Sequence, residues 1–600
     1  LQQLSKKQQK ALDQAKEYFD YARKHPSLEA YREKVQEDFG FYDGTGQWSQ
    51  HVLNQLAARG QSPITVNKIK NLVNYMSGME IQTRFRTGFR SHSGKDKDDL
   101  LAKALTHLGY AIQENQDMPY KASLQFRDAL ITGLGWGNIY RDPQNGEIKW
   151  DYVDPLSVFY DPDDLSPAMD EMSFVARTRW FTIFQAKQLW PKHAKYFDEV
   201  FETSPNARSV SGELAQRQGD DFELYRSGDG NVGSRILVVE VQHKEMQQSF
   251  SGVDHQGHHF QTFNVEEAEA LNDFETHGEI TELPATQIIR TLYTGERLLE
   301  YAPLEPRLPN LKDFTYIPCL WTRRHSDGVP DGWISVMKDL QRESNYRRTK
   351  LVNNLNSFRA VVDVEALGAG KTVDKVREEI KRPDSVIMKS GKGDIKVESN
   401  QSLAKGQFDM LMRGDQELQQ VSGIFDEALG KETNASSGIA IKHRQLNSVR
   451  NQVFSFDNVR LSKKRVARMM LDLIQGGGDE FLESHILTDN EKETILLNVV
   501  KEVGGKRVVL NDIRTLPLSI YVEEVPDFES FSQEQTAALE ALLNNPNATL
   551  ILQSPALMKR LGIRDYQELS SEMQEIMMQQ QPQTPQQEFP PEMPQEMPSE

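Results

Sequence analysis

Gly368-Ala369-Gly370-Lys371-Thr372 lies between a predicted strand and a predicted helix, where a phosphate-binding loop would set its glycines, its lysine and a magnesium-holding hydroxyl. The full spacing needs a glycine five positions before Gly370, and that position is Glu365, whose carboxylate would repel the phosphates. No apolar strand ending in Asp follows in a regular βαβ series. A Gly-rich helix start is the better reading. His255, His258 and His259 could gather a metal ion, but their glycine-broken loop does not orient ligands, and a solvated loop is preferred. Asp161-Pro162-Asp163-Asp164, followed by Asp170-Glu171, lacks the glycine and the bidentate glutamate of a calcium loop, which leaves a turn held by local Asx hydrogen bonds. The single cysteine, Cys319, sits beside Pro318 in an apolar strand with no local base, excludes a disulfide framework and fits a reducing compartment. No Ser/His/Asp or Cys/His arrangement stands out. Catalytic residues, cofactors, metal ligands and enzyme activity are therefore not expected.

A basic run is the remaining chemical exception: Lys442, His443, Arg444, Arg450, Arg460, Lys463, Lys464, Arg465 and Arg468 against only Asp457 and Asp472. It could face phosphates, pair with acidic surfaces of a neighbouring subunit, or be a solvated face. The whole chain carries 70 Lys and Arg against 88 Asp and Glu, a net charge of -18, which argues against a protein whose main task is gripping phosphates. At 600 residues it exceeds one core, and about 150 residues per domain suggests roughly four units. Mean hydropathy is -0.61, no run of about 20 apolar residues is present, and the first residues lack the apolar core of a secretory signal. Neither a membrane span nor export is expected.

The elements that position these residues fall into two styles. From Leu4 to Phe39, Leu12, Ala15, Phe19 and Ala22 recur at helical spacing, so an amphipathic helix broken near Pro26 is predicted, with residues 40–46 as a loop. A second helix is predicted over Pro63 to Met79 on Ile64, Ile69, Val73 and Met76, and two more between Asp98 and Gly133 that meet at Pro119. Period-two hairpins are predicted over 137–152 and 288–301, with an irregular polar insertion at 204–280 around one strand, Arg235 to His243. The centre differs. Trp333 to Phe358 carries no Pro or Gly and predicts one long helix, followed by a strand, helix, strand unit over 360–397 and a returning helix over Leu403 to Phe425. A small, polar loop spans 430–438, and a third long helix is predicted from Ile439 to Gln475, ended by three glycines. Strands are predicted at 494–503, 507–509 and 518–522, helices over 533–578, and disorder over the Gln/Pro-rich residues 579–600.

Long helix, small α/β unit, returning helix, loop and third helix, set between β-containing regions, resembles the portal protein of tailed bacteriophages, closest to the short-tailed phage form. Residues 67–78, the hairpin from Gly135-Trp136-Gly137 to Trp150, the Asp161-Pro162 motif with the acidic turn 169–174, residues 338–345 and residues 434–445 are each similar to segments of that family in the same order. The resemblance covers about residues 60–530. It implies an α+β portal fold in a ring-forming subunit: a wing (1–332, the long helix 438–475 and strands 476–528), stem helices (333–359 and 401–425), a clip (360–400), a tunnel loop (426–437) and a helical crown (529–578). It implies a ring, usually of twelve copies, at one capsid vertex of the virion, assembled in the host cytoplasm, through which double-stranded DNA enters and leaves. Implied partners are the major capsid protein, the scaffolding protein, the terminase large subunit and head-completion or tail adaptor proteins, with no membrane. Lys431, Glu432, Thr433, Asn434 and Ser436 would then face DNA, and Lys371, Lys375, Arg377, Lys381 and Arg382 would dock partners. The competing reading is an ATP-binding or nuclease subunit of the packaging machinery.

Overall fold

Ser5 opens the first helix with a capping box, its hydroxyl accepting from the Gln8 amide while the Gln8 side chain accepts from the Ser5 N–H. In the computed structural model the described residues are 5–82, 85–92, 95–142, 145–203, 224–225, 235–253, 259–272, 280–304, 311, 313–355, 358–363, 372–375, 378, 392–399, 401–425, 453–476, 482–487, 492–503, 506–511, 513, 516 and 518–524. The chain divides into two compact units, Leu1–Ile81 with Phe85–Glu524, and Gln82–Arg84 with Val525–Glu600. Apart from Gln82, the second lies outside the described residues.

Helix α1 (Lys6–Lys24) buries Leu12, Ala15, Phe19 and Ala22, the stripe its spacing predicts, and the chain breaks at His25 before α2 (Pro26–Asp43). The break at Pro26 is as expected, but α2 runs through Gly40 to Asp43 instead of yielding to a loop. Gly40 is there for close approach: a Cβ on it would lie 3.2 Å from the Gly46 Cα, and the helix ends only at Gly44, with φ 85°. A short helix, α3 (Gln50–Ala58), was not anticipated, and α4 (Lys68–Gln82) starts five residues later than predicted because the N–H groups of Ile64 and Val66 are taken by side chains of the later helix at 338–355. Next come β1 (Phe85–Ser91), α5 (Asp96–Asn115) and α6 (Met118–Thr132), the two helices parting at Asp117.

The first hairpin is β2 (Leu134–Arg141) with β3 (Ile148–Val153), extended by β11 (Tyr316–Leu320) into a three-stranded antiparallel sheet. The larger sheet joins β4 (Val158–Tyr160), β5 (Phe174–Thr182), β7 (Arg235–Val253), β9 (Thr281–Thr294) and β10 (Arg297–Pro303) in the order β10-β9-β7-β5-β4. Two short strands, β6 (Leu224–Tyr225) and β8 (His259–Thr262), also pair with β7. The predicted insertion therefore carries the central strand of the main sheet, and that strand runs ten residues beyond His243 because β9 pairs with it as far as Ser251 and β8 from Phe250 to Val253. Helices α7 (Ile183–Leu189) and α8 (Ala194–Thr203) pack at one end of β7, and α9 (Val265–Leu271) at the other.

In the centre, the predicted 26-residue helix divides into a 3-10 turn at Trp333–Met337 and α10 (Lys338–Leu355). Strands β12 (Phe358–Val362) and β13 (Ile395–Ser399) pair antiparallel, and α11 (Gln401–Ser422) returns beside α10. Of the helix predicted between those strands, only 372–375 and 378 are described. Helix α12 (Val453–Gln475) is the described part of the third long helix. Beyond it are β14 (Leu482–Leu487), which was not anticipated, β15 (Lys492–Leu497), β16 (Val499–Val503), β17 (Lys506–Leu510) and β18 (Leu518–Glu524). The strand predicted over 494–503 divides at Asn498, whose φ of 52° turns the chain. The crown helices and the Gln/Pro-rich tail lie outside the described residues.

Candidate functional site

The α10–α11 pair and the strap of residues 64–68 leading into α4 form the part of the molecule with the least ordinary side-chain distribution. The inward side of α10 is polar: Gln341, Ser344, Asn345 and Thr349 are buried. Residues 64–68 run along it, and α10 side chains supply partners for their backbone groups. The N–H of Ile64 donates to the Thr349 hydroxyl at 3.0 Å, that of Val66 to Asn345 Oδ1 at 3.0 Å, and that of Lys68 to Gln341 Oε1 at 3.1 Å. Gln341 Nε2 returns 2.8 Å to the Val66 carbonyl, and Asn345 Nδ2 donates 2.7 Å to Gln47 Oε1. Alternate N–H groups meet side chains four residues apart, so a period of two is read by one helix face. Lys68 then ties the strap to both helices through Ser344 and Asp415.

At the start of α10 an ion cluster joins it to α2. Lys338 reaches Glu37 and Asp38, Arg342 reaches Glu37, and Lys34 bridges Asp38 and Asp331. Both Lys338 and Arg342 also lie over the Phe41 ring. Burial works against the Glu37 carboxylate, but Lys338 and Arg342 outweigh it and hold it below the usual carboxylate range. Asp38 has no exposure, and burial pushes its carboxyl up, offset only in part by Lys34 and Lys338.

On α11 the sides are reversed. Ala404, Leu411 and Leu418 face inward, and Phe408, Met410, Met412 and Val421 are exposed. At about 100° per residue, Phe408 and Met412 fall on one side of the Leu411 stripe and Met410 and Val421 on the other. The pair thus carries apolar side chains on two separate flanks, an arrangement a monomer does not need.

The residues singled out from sequence are dispersed. Lys431, Glu432, Thr433, Asn434 and Ser436 lie outside the described residues, as do Lys371, Arg377, Lys381, Arg382, Lys442, Arg444 and Arg450. Lys375 is exposed. In α12 the basic run does not form one outward face. Lys463 turns inward to Glu80, 2.8 Å away, and Glu80, 1% exposed, also accepts from the Ser123 hydroxyl. Arg465 is buried, donating to the carbonyls of Ala168 and Met169 and pairing with Asp313 at 2.8 Å. Lys464 remains exposed. Lys463 and Arg465 therefore serve the interior of the subunit, because the carboxylates they neutralise are themselves enclosed.

The acidic turn behaves as expected. Asp161 accepts from the N–H groups of Asp163 and Ser173, and Asp164 from that of Ser166. Burial in β11 pushes the Cys319 thiol up to about 12, far from a thiolate nucleophile. No described group of His, Cys, Asp and Glu could hold a metal ion, and no described helix is long and apolar enough to cross a membrane.

A family model, the phage P22-like portal protein, matches residues 16–600. The chain belongs to that family. It is a portal vertex protein of the short-tailed phage type, serving DNA packaging and ejection, and the ATP-binding or nuclease alternative is not favoured. No curated protein matches the chain. Sequence reading found the helices but missed the flanks and the strap: the apolar letters of α11 do not say which of them a single copy leaves uncovered, and the strap's partners lie more than 270 residues away.

Proposed function

We propose that copies of this chain close into a twelve-membered ring around a channel for double-stranded DNA, acting as a structural conduit and not as a catalyst. The observation that carries this reading is the pair of apolar flanks on α11. A two-fold dimer buries one patch against itself, whereas a ring needs two unlike surfaces on every copy. In that ring 333–359 and 401–425 would be the stem, 360–400 the clip, 426–437 the tunnel loop, 529–578 the crown, and 1–332 with 438–528 the wing, leaving 579–600 as a separate Gln/Pro-rich tail. Capsid and scaffolding proteins would meet the wing. The terminase large subunit and the head-completion or tail adaptors would meet the clip, with Lys371, Lys375, Arg377, Lys381 and Arg382 offering positive charge. A ring of chains at -18 each is strongly anionic, so DNA can slide without the counterion release that would hold it.

Phe408→Ser with Met412→Ser alters one flank, and Met410→Ser with Val421→Ser the other. Each is expected to abolish rings, measured as solution mass, while the unassembled chain keeps its stability within about 0.5 kcal/mol because the sites are exposed. Rings of normal mass from both variants would remove the flanks as the assembly surface. The tunnel loop is tested separately: arginine at Thr433, Asn434 and Ser436 should leave rings intact yet slow DNA passage at low salt, with partial recovery as salt rises. Normal passage at low salt would show that this loop does not line the constriction.

A further inference from the structure

Strand β5 stops pairing with β7 at Phe174 and His243, and β10 stops pairing with β9 at Pro303 and Ile289. From Lys244 onward β7 and β9 therefore leave the main sheet as a ribbon, joined near its end by β8 and α9. That end is a built unit. Asn264 caps α9 by accepting from the Glu266 N–H at 3.1 Å, and Asn272 Oδ1 accepts from the Val253 N–H at 3.3 Å. Gly252 makes the room, since a Cβ there would lie 2.5 Å from Asn272 Oδ1. Among the described residues of the tip, 246–253, 259–272 and 281–286, there are four glutamates (Glu266, Glu267, Glu269 and Glu282) and no lysine or arginine. Met246, 75% exposed, and Leu283, 47% exposed, stand out from the ribbon among these charges.

The other end of β7 has the opposite character. Ile236 packs with Ile183, Ala186 and Phe197 to seat the α7–α8 knob. On its surface Phe184 is 63% and Leu189 49% exposed, beside the exposed Arg179, Lys192 and Lys195; of the described carboxylates there, Asp198 pairs with Lys187 and Glu199 is exposed, so the basic groups outnumber the acidic ones by two. Ten residues of strand run from Ile236 under the knob to Met246 at the start of the tip, about 33 Å at 3.3 Å per residue, so the two patches of one copy do not meet. The tip offers acidic and apolar side chains, and the knob a surplus of basic ones with exposed Phe184 and Leu189.

We propose that the acidic ribbon tip of one copy docks on the basic α7–α8 knob of the next, giving the ring a second link besides the helix pair. The contact joins unlike patches, so it is heterologous and repeats from copy to copy until the ring closes. It rests on the ring reading above and adds to it a particular surface and its partner.

Charge reversal in trans tests this on the full chain. Glu269→Lys with Glu282→Lys reverses the tip, and Lys192→Glu with Lys195→Glu reverses the knob. At about 50 mM salt, where screening is weak, each variant alone is expected to need about tenfold more protein to form rings than the wild type. An equimolar mixture of the two should form rings near the wild-type concentration, because every tip then finds a knob of opposite sign in an alternating ring. Unchanged thermal midpoints of the unassembled variants exclude misfolding as the cause. If a reversed chain loses its midpoint, the Glu→Gln and Lys→Gln versions replace it, with about a threefold shift expected and the same recovery on mixing. Rings from either single variant at the wild-type concentration, or a mixture no better than its parts, would overturn the contact while leaving the helix flanks in place. A wild-type chain that forms no ring at any concentration removes the ring reading, and this contact with it.

Discussion

Around β2 and β11 the chain closes on Trp136, Trp150, Phe314 and Tyr316, all buried, whereas along α10 the enclosed side chains include Gln341, Ser344, Asn345 and Thr349, and α11 leaves Phe408, Met410, Met412 and Val421 exposed. The β-rich body takes its stability from apolar area removed from water, which needs no second copy. Helix α10 is tied to residues 64–68 by hydrogen bonds that are directional but contribute modestly to net stability. The exposed apolar side chains of α11 are left for something else. A polar inner face thus sets where α10 lies against residues 64–68, and in the ring proposed above the uncovered flanks are where neighbours would pack.

The comparison can be broken most severely in the body. Trp136→Ala should cost about 3–5 kcal/mol, read as a lower urea midpoint of the unassembled chain, since the ring is enclosed and its neighbours cannot collapse fully. A loss below about 1 kcal/mol would mean that this core does not govern stability. In the helix pair, Asn345→Leu keeps the volume but leaves the Val66 N–H and Gln47 without their partner, a cost of about 1–3 kcal/mol. Faster hydrogen exchange at Val66 is the specific sign, and unchanged exchange there would detach the strap from α10. The smallest effect comes from acid. His243 is buried beside Tyr18, and burial holds its pKa below the ordinary histidine value. The unfolded chain therefore takes up the proton first as pH falls below about 6.5, and stability declines from there until the folded imidazole also protonates. His243→Gln should flatten that decline, leaving the share of His193, whose pKa burial also lowers. Neither α10 nor α11 contains a histidine, so exchange at Val66 should not follow this titration. A slope unchanged by the substitution would exclude His243 as its source.

Much of the fold was legible because short-range pattern and long-range packing agreed. Leu12, Ala15, Phe19 and Ala22 predicted the face that α1 buries, and both hairpins formed where the turn residues placed them. The misreadings share a physical cause. Beyond His243, β7 runs through Lys244, Glu245, Gln247 and Gln248, which carry no apolar alternation, and its extension depends on pairing with β9. Gly40 reads as a loop signal, yet it allows α2 and Gly46 to touch. Gln341, Asn345 and Thr349 look like a solvated helix face until residues 64–68 lie against them. In the basic run, helical spacing alone could not show that Lys463 and Arg465 answer the enclosed Glu80 and Asp313.

Closure of identical copies into a ring is tested most directly by single-particle images of the purified full-length chain taken alongside its solution mass. A channelled ring of about twelve copies is expected, with α10 and α11 of adjacent subunits side by side and the exposed side chains of α11 covered. Isolated monomers, two-fold dimers, or a ring whose α11 flanks still face solvent would contradict it.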